Sequence, residues 1–139
     1  MRTIKEDTQY GLQNEEIILN KLRRYWNDEP NIQNTKDIYN DNYCKYDFQS
    51  DTLTTWELKS RRNTKTQYPT TIIPVHKVRD VDTVQYFVFM FSNALCYIKY
   101  DNEIFHTFNI KYISDYRPGR PTTPIAHYEI PVELLIDIP

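Results

Sequence analysis

Two apolar runs, residues 84–91 and 94–100, flank the dipeptide Ser92-Asn93 and constrain this chain more than any other feature. The stretch Tyr86-Phe87-Val88-Phe89-Met90-Phe91 has no polar position for a solvent-facing side, so a strand here must be covered on both faces. The polar pair between the runs predicts a hairpin. Such strands belong inside a sheet with further layers above and below, and a chain of 139 residues has length for one such domain, residues 1–139.

Other segments supply the layers. Residues 14–26 read as an amphipathic helix, because Ile18, Leu19, Leu22, Tyr25 and Trp26 recur at three- and four-residue spacing, with Asn14 or Thr8 as its cap. Pro30 lies in a polar loop, and three short strands are expected near residues 37–39, 43–49 and 54–61. Residues 68–75 are ambiguous: Thr70, Thr71, Ile72 and Ile73 favour a strand, whereas Pro69 suits a helix start, and the segment is read as a short helix. A strand over 104–113, an extended loop over 117–124 and a short closing element over 130–138 complete an α/β reading with a mixed sheet.

Composition removes several classes of function. With 14% aromatic residues and near-balanced charge, 17 Lys+Arg against 19 Asp+Glu, the chain has material for a core and is not a disordered polymer. No apolar stretch approaches the roughly 20 residues of a bilayer span and Met1-Arg2-Thr3-Ile4-Lys5 does not resemble a signal region, so a soluble intracellular protein, cytoplasmic or nuclear, with no membrane partner is expected. Cys44 and Cys96 form no CxxC pair and read as buried thiols. His76, His106 and His127 show no zinc spacing, and the isolated Gly11 and Gly119 form no phosphate loop.

Residues 44–48 and 55–59 carry the chemistry. Taken as antiparallel strands turning near Thr52, they send Tyr46, Phe48, Trp56 and Leu58 to one face and Lys45, Asp47, Glu57 and Lys59 to the other. Asp47 then faces Glu57 with Cβ atoms about 4.5–5.5 Å apart, and two carboxylates that close repel unless a cation lies between them. A hard divalent ion such as Mg²⁺ would resolve the conflict, and Lys59 beside it could meet charge developing on a phosphate oxygen. The plainer alternative is a solvated strand face on which Lys45 and Lys59 pair with the acids, each pair worth about 0–1 kcal/mol.

Asp47 followed by Glu57-Leu58-Lys59 at the end of an apolar strand resembles the D…(D/E)xK signature of the PD-(D/E)XK nuclease superfamily, which includes restriction endonucleases, Holliday-junction resolvases and phage and viral nucleases. Gly11, Glu15, Ile18 and Leu22 are similar to the resolvase-like first helix, with Glu16 the alternative to Glu15, and Tyr46 stands where the family often has Pro. The resemblance spans residues 11–59. It implies an αβββαβ restriction-endonuclease-like core, a mixed β-sheet flanked by helices. It also implies Asp47, Glu57, the Leu58 carbonyl and Glu15 (or Glu16) around Mg²⁺, for which Mn²⁺ would substitute, with Lys59 as the catalytic lysine. The activity implied is metal-dependent endonucleolytic hydrolysis of DNA, with RNA also conceivable and a homodimer compatible.

Residues 59–79 add six basic side chains and no acidic one, so Arg61, Arg62, Lys65, Lys77 and Arg79 are expected to hold nucleic-acid phosphates. Two rivals stand beside the nuclease: a protein of the same fold that binds nucleic acid without cutting it, and a small β-rich interaction protein. Abundant Asn, Ile, Tyr and Lys with two Gly suggest AT-rich coding, compatible with a phage or large-DNA-virus origin.

Overall fold

A computed structural model of the chain describes residues 4–39, 47–78, 82–114, 119 and 123–139, with side chains from residue 15 onward. It is a mixed α/β fold with a mixed sheet and few helices. In chain order the elements are α1 (Ile4–Tyr25), β1 (Gln33–Asn34), α2 (Thr35–Tyr39), β2 (Phe48–Gln49), β3 (Thr55–Ser60) and β4 (Thr70–Pro74). A 3₁₀ turn (Val75–Lys77), β5 (Gln85–Met90), β6 (Leu95–Lys99), α3 (Asn102–Phe105), β7 (Asn109–Ser114) and β8 (Pro124–Pro131) follow, then a second 3₁₀ turn (Val132–Leu134) and β9 (Ile136–Asp137).

The strands form two sheets. One has the order β1-β2-β3-β5-β6-β9, with β3 parallel to β5 and its other pairs antiparallel; the second is antiparallel, in the order β4-β8-β7. On one face of the larger sheet, Ile18 and Leu22 of α1 and Trp26 just past it pack on Phe48, Trp56 and Val88. On the other face Phe87, Phe89, Cys96 and Ile98 pack against Ile73 and Ile130 of the second sheet and Phe105 of α3. The doubly covered hairpin expected from residues 84–100 is therefore the middle of a three-layer sandwich, and side chains at i, i+4 and i+8 give α1 the single apolar stripe that such a layer needs. No helix among the described residues is long and apolar enough to cross a membrane.

Four expectations are corrected. Residues 70–74 form a strand, not a helix: the β-branched run pairs with β8 from Thr70↔Pro131 to Pro74↔His127, and Pro69 and Pro74 bracket it. The strand near 37–39 is instead α2, started by Asn34, whose Oδ1 accepts the Lys36 N–H at 2.9 Å. The strand over 104–113 is split, because Asp101 accepts the Ile104 N–H at 3.1 Å and opens α3 before β7 begins. Helix α1 also starts ten residues earlier than residue 14, so Thr8 and Asn14 lie within it and do not cap it. The loop expected at 117–124 lies outside the described residues except for Gly119 and the segment from Thr123, and Pro124 already belongs to β8.

The β2–β3 turn sets the register on which the site depends. Ser50 N–H donates to Thr54 C=O at 3.0 Å and Leu53 N–H to Ser50 C=O at 3.0 Å, with Leu53 at φ 65°. Glu29 locks this turn from outside by accepting the hydroxyls of Ser50 (2.9 Å), Thr52 (2.7 Å) and Thr54 (3.2 Å). Phe48 then pairs with Trp56 and Gln49 with Thr55, which centres the hairpin on Thr52 as the sequence suggests.

Candidate active site at the edge of β3

Strand β3 is buried on two chemically opposite faces. Trp56 and Leu58 point toward α1, while Glu57 and Lys59 share the face of their register partners Phe87 and Phe89 in β5, under the second sheet. The plainer alternative of a solvated face does not hold at Glu57, which is only 4% exposed. Its Oε1 lies 3.3 Å from Lys59 Nζ and 3.4 Å from Lys77 Nζ, so two ammonium groups meet the same carboxylate oxygen.

Asp47 sits just before β2. Its N–H donates to the Trp56 carbonyl at 3.0 Å, its own carbonyl accepts the Thr35 N–H at 2.9 Å, and its Oδ2 accepts the Leu58 N–H at 2.7 Å. The carboxylate thereby finishes the edge of β3 where the β2 ladder ends. A strand residue turns its N–H and C=O to the same edge, so the Leu58 carbonyl is on the edge that Asp47 occupies. Nothing in residue spacing shows Thr35 as an anchor; it is buried at the start of α2 and adds its Oγ1–H to the Asp47 carbonyl at 3.2 Å.

Electrostatics ties the acids together. Burial raises the Asp47 pKa above the usual carboxylate value; the Leu58 N–H, Lys59 and Lys77 oppose the rise and Glu15 adds to it. Glu57 is pushed up to about 7, first by burial and then by the Asp47 charge, which together outweigh Lys59 and Lys77. Both carboxylates therefore resist being charged where they stand. Glu15, on α1, accepts from Lys36 Nζ at 3.2 Å and Asn34 Nδ2 at 3.4 Å, and Glu16 is exposed. Of the two, Glu15 is the one whose charge acts on Asp47. Among the described residues, no group of three or more His, Cys, Asp or Glu side chains surrounds one point as a formed metal site.

The basic run is divided among several tasks. Arg61 Nη2 donates to the Ile72 carbonyl at 2.7 Å and its guanidinium lies 5.9 Å from the Phe89 ring centre, which clamps β4 to the end of β3; burial lowers its pKa. Lys65 is paired at 2.8 Å with Asp137 Oδ1, which also accepts the thiol of buried Cys96 at 3.0 Å. Burial and this carboxylate push the Cys96 thiol up to about 12, away from reactivity. Lys77 reaches Glu57, Arg62 is exposed, and Arg79, Lys45 and Cys44 lie outside the described residues. The role of Lys77 beside Glu57 was not legible, since it depends on how residues 61–77 fold back.

Comparison of the chain with protein-family models, with curated proteins and with solved structures finds no match.

Proposed function

We propose that the Asp47–Glu57–Lys59 site is that of a metal-dependent endonuclease of the PD-(D/E)XK type, hydrolysing DNA phosphodiester bonds. The observation that carries this reading is the 2.7 Å hydrogen bond from the Leu58 N–H to Asp47, because it joins the isolated carboxylate to the peptide between Glu57 and Lys59. The order of elements also supports it: α1, three antiparallel strands β1-β2-β3, then β5 parallel to β3 after a crossover. The departure from an αβββαβ core is that the described crossover contains β4 and a 3₁₀ turn in place of a helix.

The donor chemistry fits a hard divalent ion. Asp47 and the Leu58 carbonyl on the edge of β3 and Glu57 on its face would offer oxygen donors, and the Asp47 charge that helps raise the pKa of Glu57 is one that a cation would offset. When bound, Mg²⁺ or Mn²⁺ supplies Lewis-acid polarisation and a more acidic water. The chain supplies the rest. Asp47 and Glu57 would hold the cation, a role that requires Glu57 in its deprotonated form. Lys59, whose ammonium lies 3.3 Å from Glu57, would face the phosphate oxygen on which negative charge grows as water attacks phosphorus and the bridging oxygen leaves. The second sheet keeps this point partly dry, which strengthens each charge interaction.

One observation favours the rival in which nucleic acid is bound and not cut: Lys59 and Lys77 already neutralise Glu57. Incubation with branched and linear DNA, with and without Mg²⁺ or Mn²⁺, separates the two readings. The endonuclease reading predicts metal-dependent cuts that fall about 100-fold in Lys59→Ala, the scale of one lost preorganised charge contact. DNA binding and the circular dichroism spectrum should be retained, because Lys77 still faces Glu57. Binding without cuts under either metal would support the rival.

A further inference from the structure

A cleft of about 460 Å³ opens beside this site, between the end of β3 and the outer face of the second sheet. We infer that it holds one unstacked nucleotide of a single strand, its phosphate toward Lys77 and His127 and its base against Ile72, Ile113 and Ile125. The nucleic-acid class of this ligand rests on the endonuclease reading; the shape and charge of the cleft stand by themselves.

The two sheets build the cleft from alternating strand positions. In β4, Thr71 and Ile73 face the core, so Ile72 and Pro74 face outward. In β8 the core residue is Ile130, and Ile125 and His127 take the outer side; register places Pro74 beside His127 and Ile113 beside Ile125. The result is an apolar wall of isoleucines next to a basic rim. Arg61, His76, Lys77 and His127 supply that rim, and none of the described residues lining the cleft is acidic. Lys111 stands across from His127 on the same outer face, and Glu129, two positions along β8, stands across from Ile72 at the far end of the wall.

Crowding of basic groups is the second observation. His76 is held below its ordinary pKa by desolvation and then by the charges of Lys77, Lys59 and His127, which places four basic groups within mutual repulsion. An anion among them relieves that repulsion. His127 Nδ1–H donates to the Ile125 carbonyl at 2.8 Å, which fixes the ring and leaves Nε2 for a ligand; Nε2 donates to a phosphate oxygen when the ring is the imidazolium.

Size and position select a nucleotide over other anions. The volume lies within the roughly 300–1,000 Å³ of small-ligand sites, the scale of a single nucleotide. The isoleucine wall offers a surface for a base, which inorganic phosphate would leave unused. Lys77 touches both places: its ammonium is 3.4 Å from Glu57 while its side chain lines the cleft, so a strand entering here continues into the candidate active site.

The test uses the full chain in metal-free buffer, with thymidine 5′-monophosphate and a five-residue oligo-dT titrated while the imidazole signals of His76, His106 and His127 are followed by NMR. Both probes should shift His76 and His127 and leave the exposed His106 unchanged. His127→Ala should weaken oligo-dT binding about tenfold, the scale of one hydrogen bond to a charged group. Ile113→Glu, a substitution at a partly exposed position on edge strand β7, should weaken it at least as much with an unchanged circular dichroism spectrum. The inference is overturned if inorganic phosphate or oligo-glutamate binds as well as oligo-dT, or if neither variant changes binding. DNA cleavage by the parent, measured separately with Mg²⁺, keeps the two ideas apart. Oligo-dT in the cleft without any cleavage would remove the endonuclease and retain the cleft; cleavage and binding unaffected in both variants would do the reverse.

Discussion

The two faces of β3 hold neighbouring residues at nearly the same depth and spend that burial in opposite ways. Trp56, fully buried, lies 5.7 Å from the Trp26 ring and 5.8 Å from Tyr86, in a cluster that removes aromatic surface from water. Glu57, one residue later, is buried with two ammonium groups and a second carboxylate. An apolar side chain in its place would have joined Phe87 and Phe89 at no electrostatic cost. The difference teaches that one face of the strand is built for stability, while the other sacrifices stability to hold charge in a dry place.

The largest effect should come from the stabilising face. Trp56→Ala should lower unfolding free energy by about 3–5 kcal/mol, as expected when a large aromatic leaves a packed core, measured by urea titration. A loss under 1 kcal/mol would show that α1 is not firmly docked on the sheet.

The charged face should respond to pH with a defined sign. Because the folded pKa of Glu57 is raised, its contribution is fully present below the unfolded value near 4.5 and is lost as pH rises through about 7. Between those values the unfolded chain has released a proton that the native state keeps. The stability of the parent relative to Glu57→Gln should fall by roughly 3 kcal/mol across that window in metal-free buffer. A difference independent of pH would mean that the two lysines fully compensate the buried charge.

The candidate site was more legible in the sequence than the layers that bury it. Alternation along residues 55–59 and a turn near Thr52 are local signals, and the observed register sets Asp47 against the Leu58 N–H of β3, while the expected strand residues 43–46 lie outside the described residues. The doubly covered run at 84–91 announced a layered fold in the same local way. What covers Glu57 depends on pairing between distant segments: β4 meets β8 more than fifty residues later in the chain, and no spacing rule reports that. Hence spacing leaves a solvated face for Glu57 open as an alternative, and assigns Lys77 to a distant phosphate contact and Arg61 to DNA when it clamps Ile72. Asp101 before Asn102-Glu103 and Asn34 before Thr35 were local capping signals; the β-propensity of the residues after them obscured both short helices.

A smaller change sharpens the link between the turn and the site. Leu53 holds φ 65° while half exposed, a conformation that costs a non-glycine residue about 1 kcal/mol. Leu53→Gly should raise stability by up to about 0.5 kcal/mol without disturbing the β2–β3 register, read from the melting temperature and the backbone NMR shifts of Asp47 and Leu58.

The most direct test of the account is proton exchange on metal binding. Titrating Mg²⁺ or Mn²⁺ into the parent by calorimetry at a pH just below 7, in buffers of differing ionisation enthalpy, should show binding that releases a substantial fraction of one proton, because Glu57 must become charged to hold the cation. The same titration of Glu57→Gln should show weaker binding and no release from this position. Binding with no proton exchange in the parent, or no binding of either metal at millimolar concentration, would contradict the claim that Asp47 and Glu57 form a cation site.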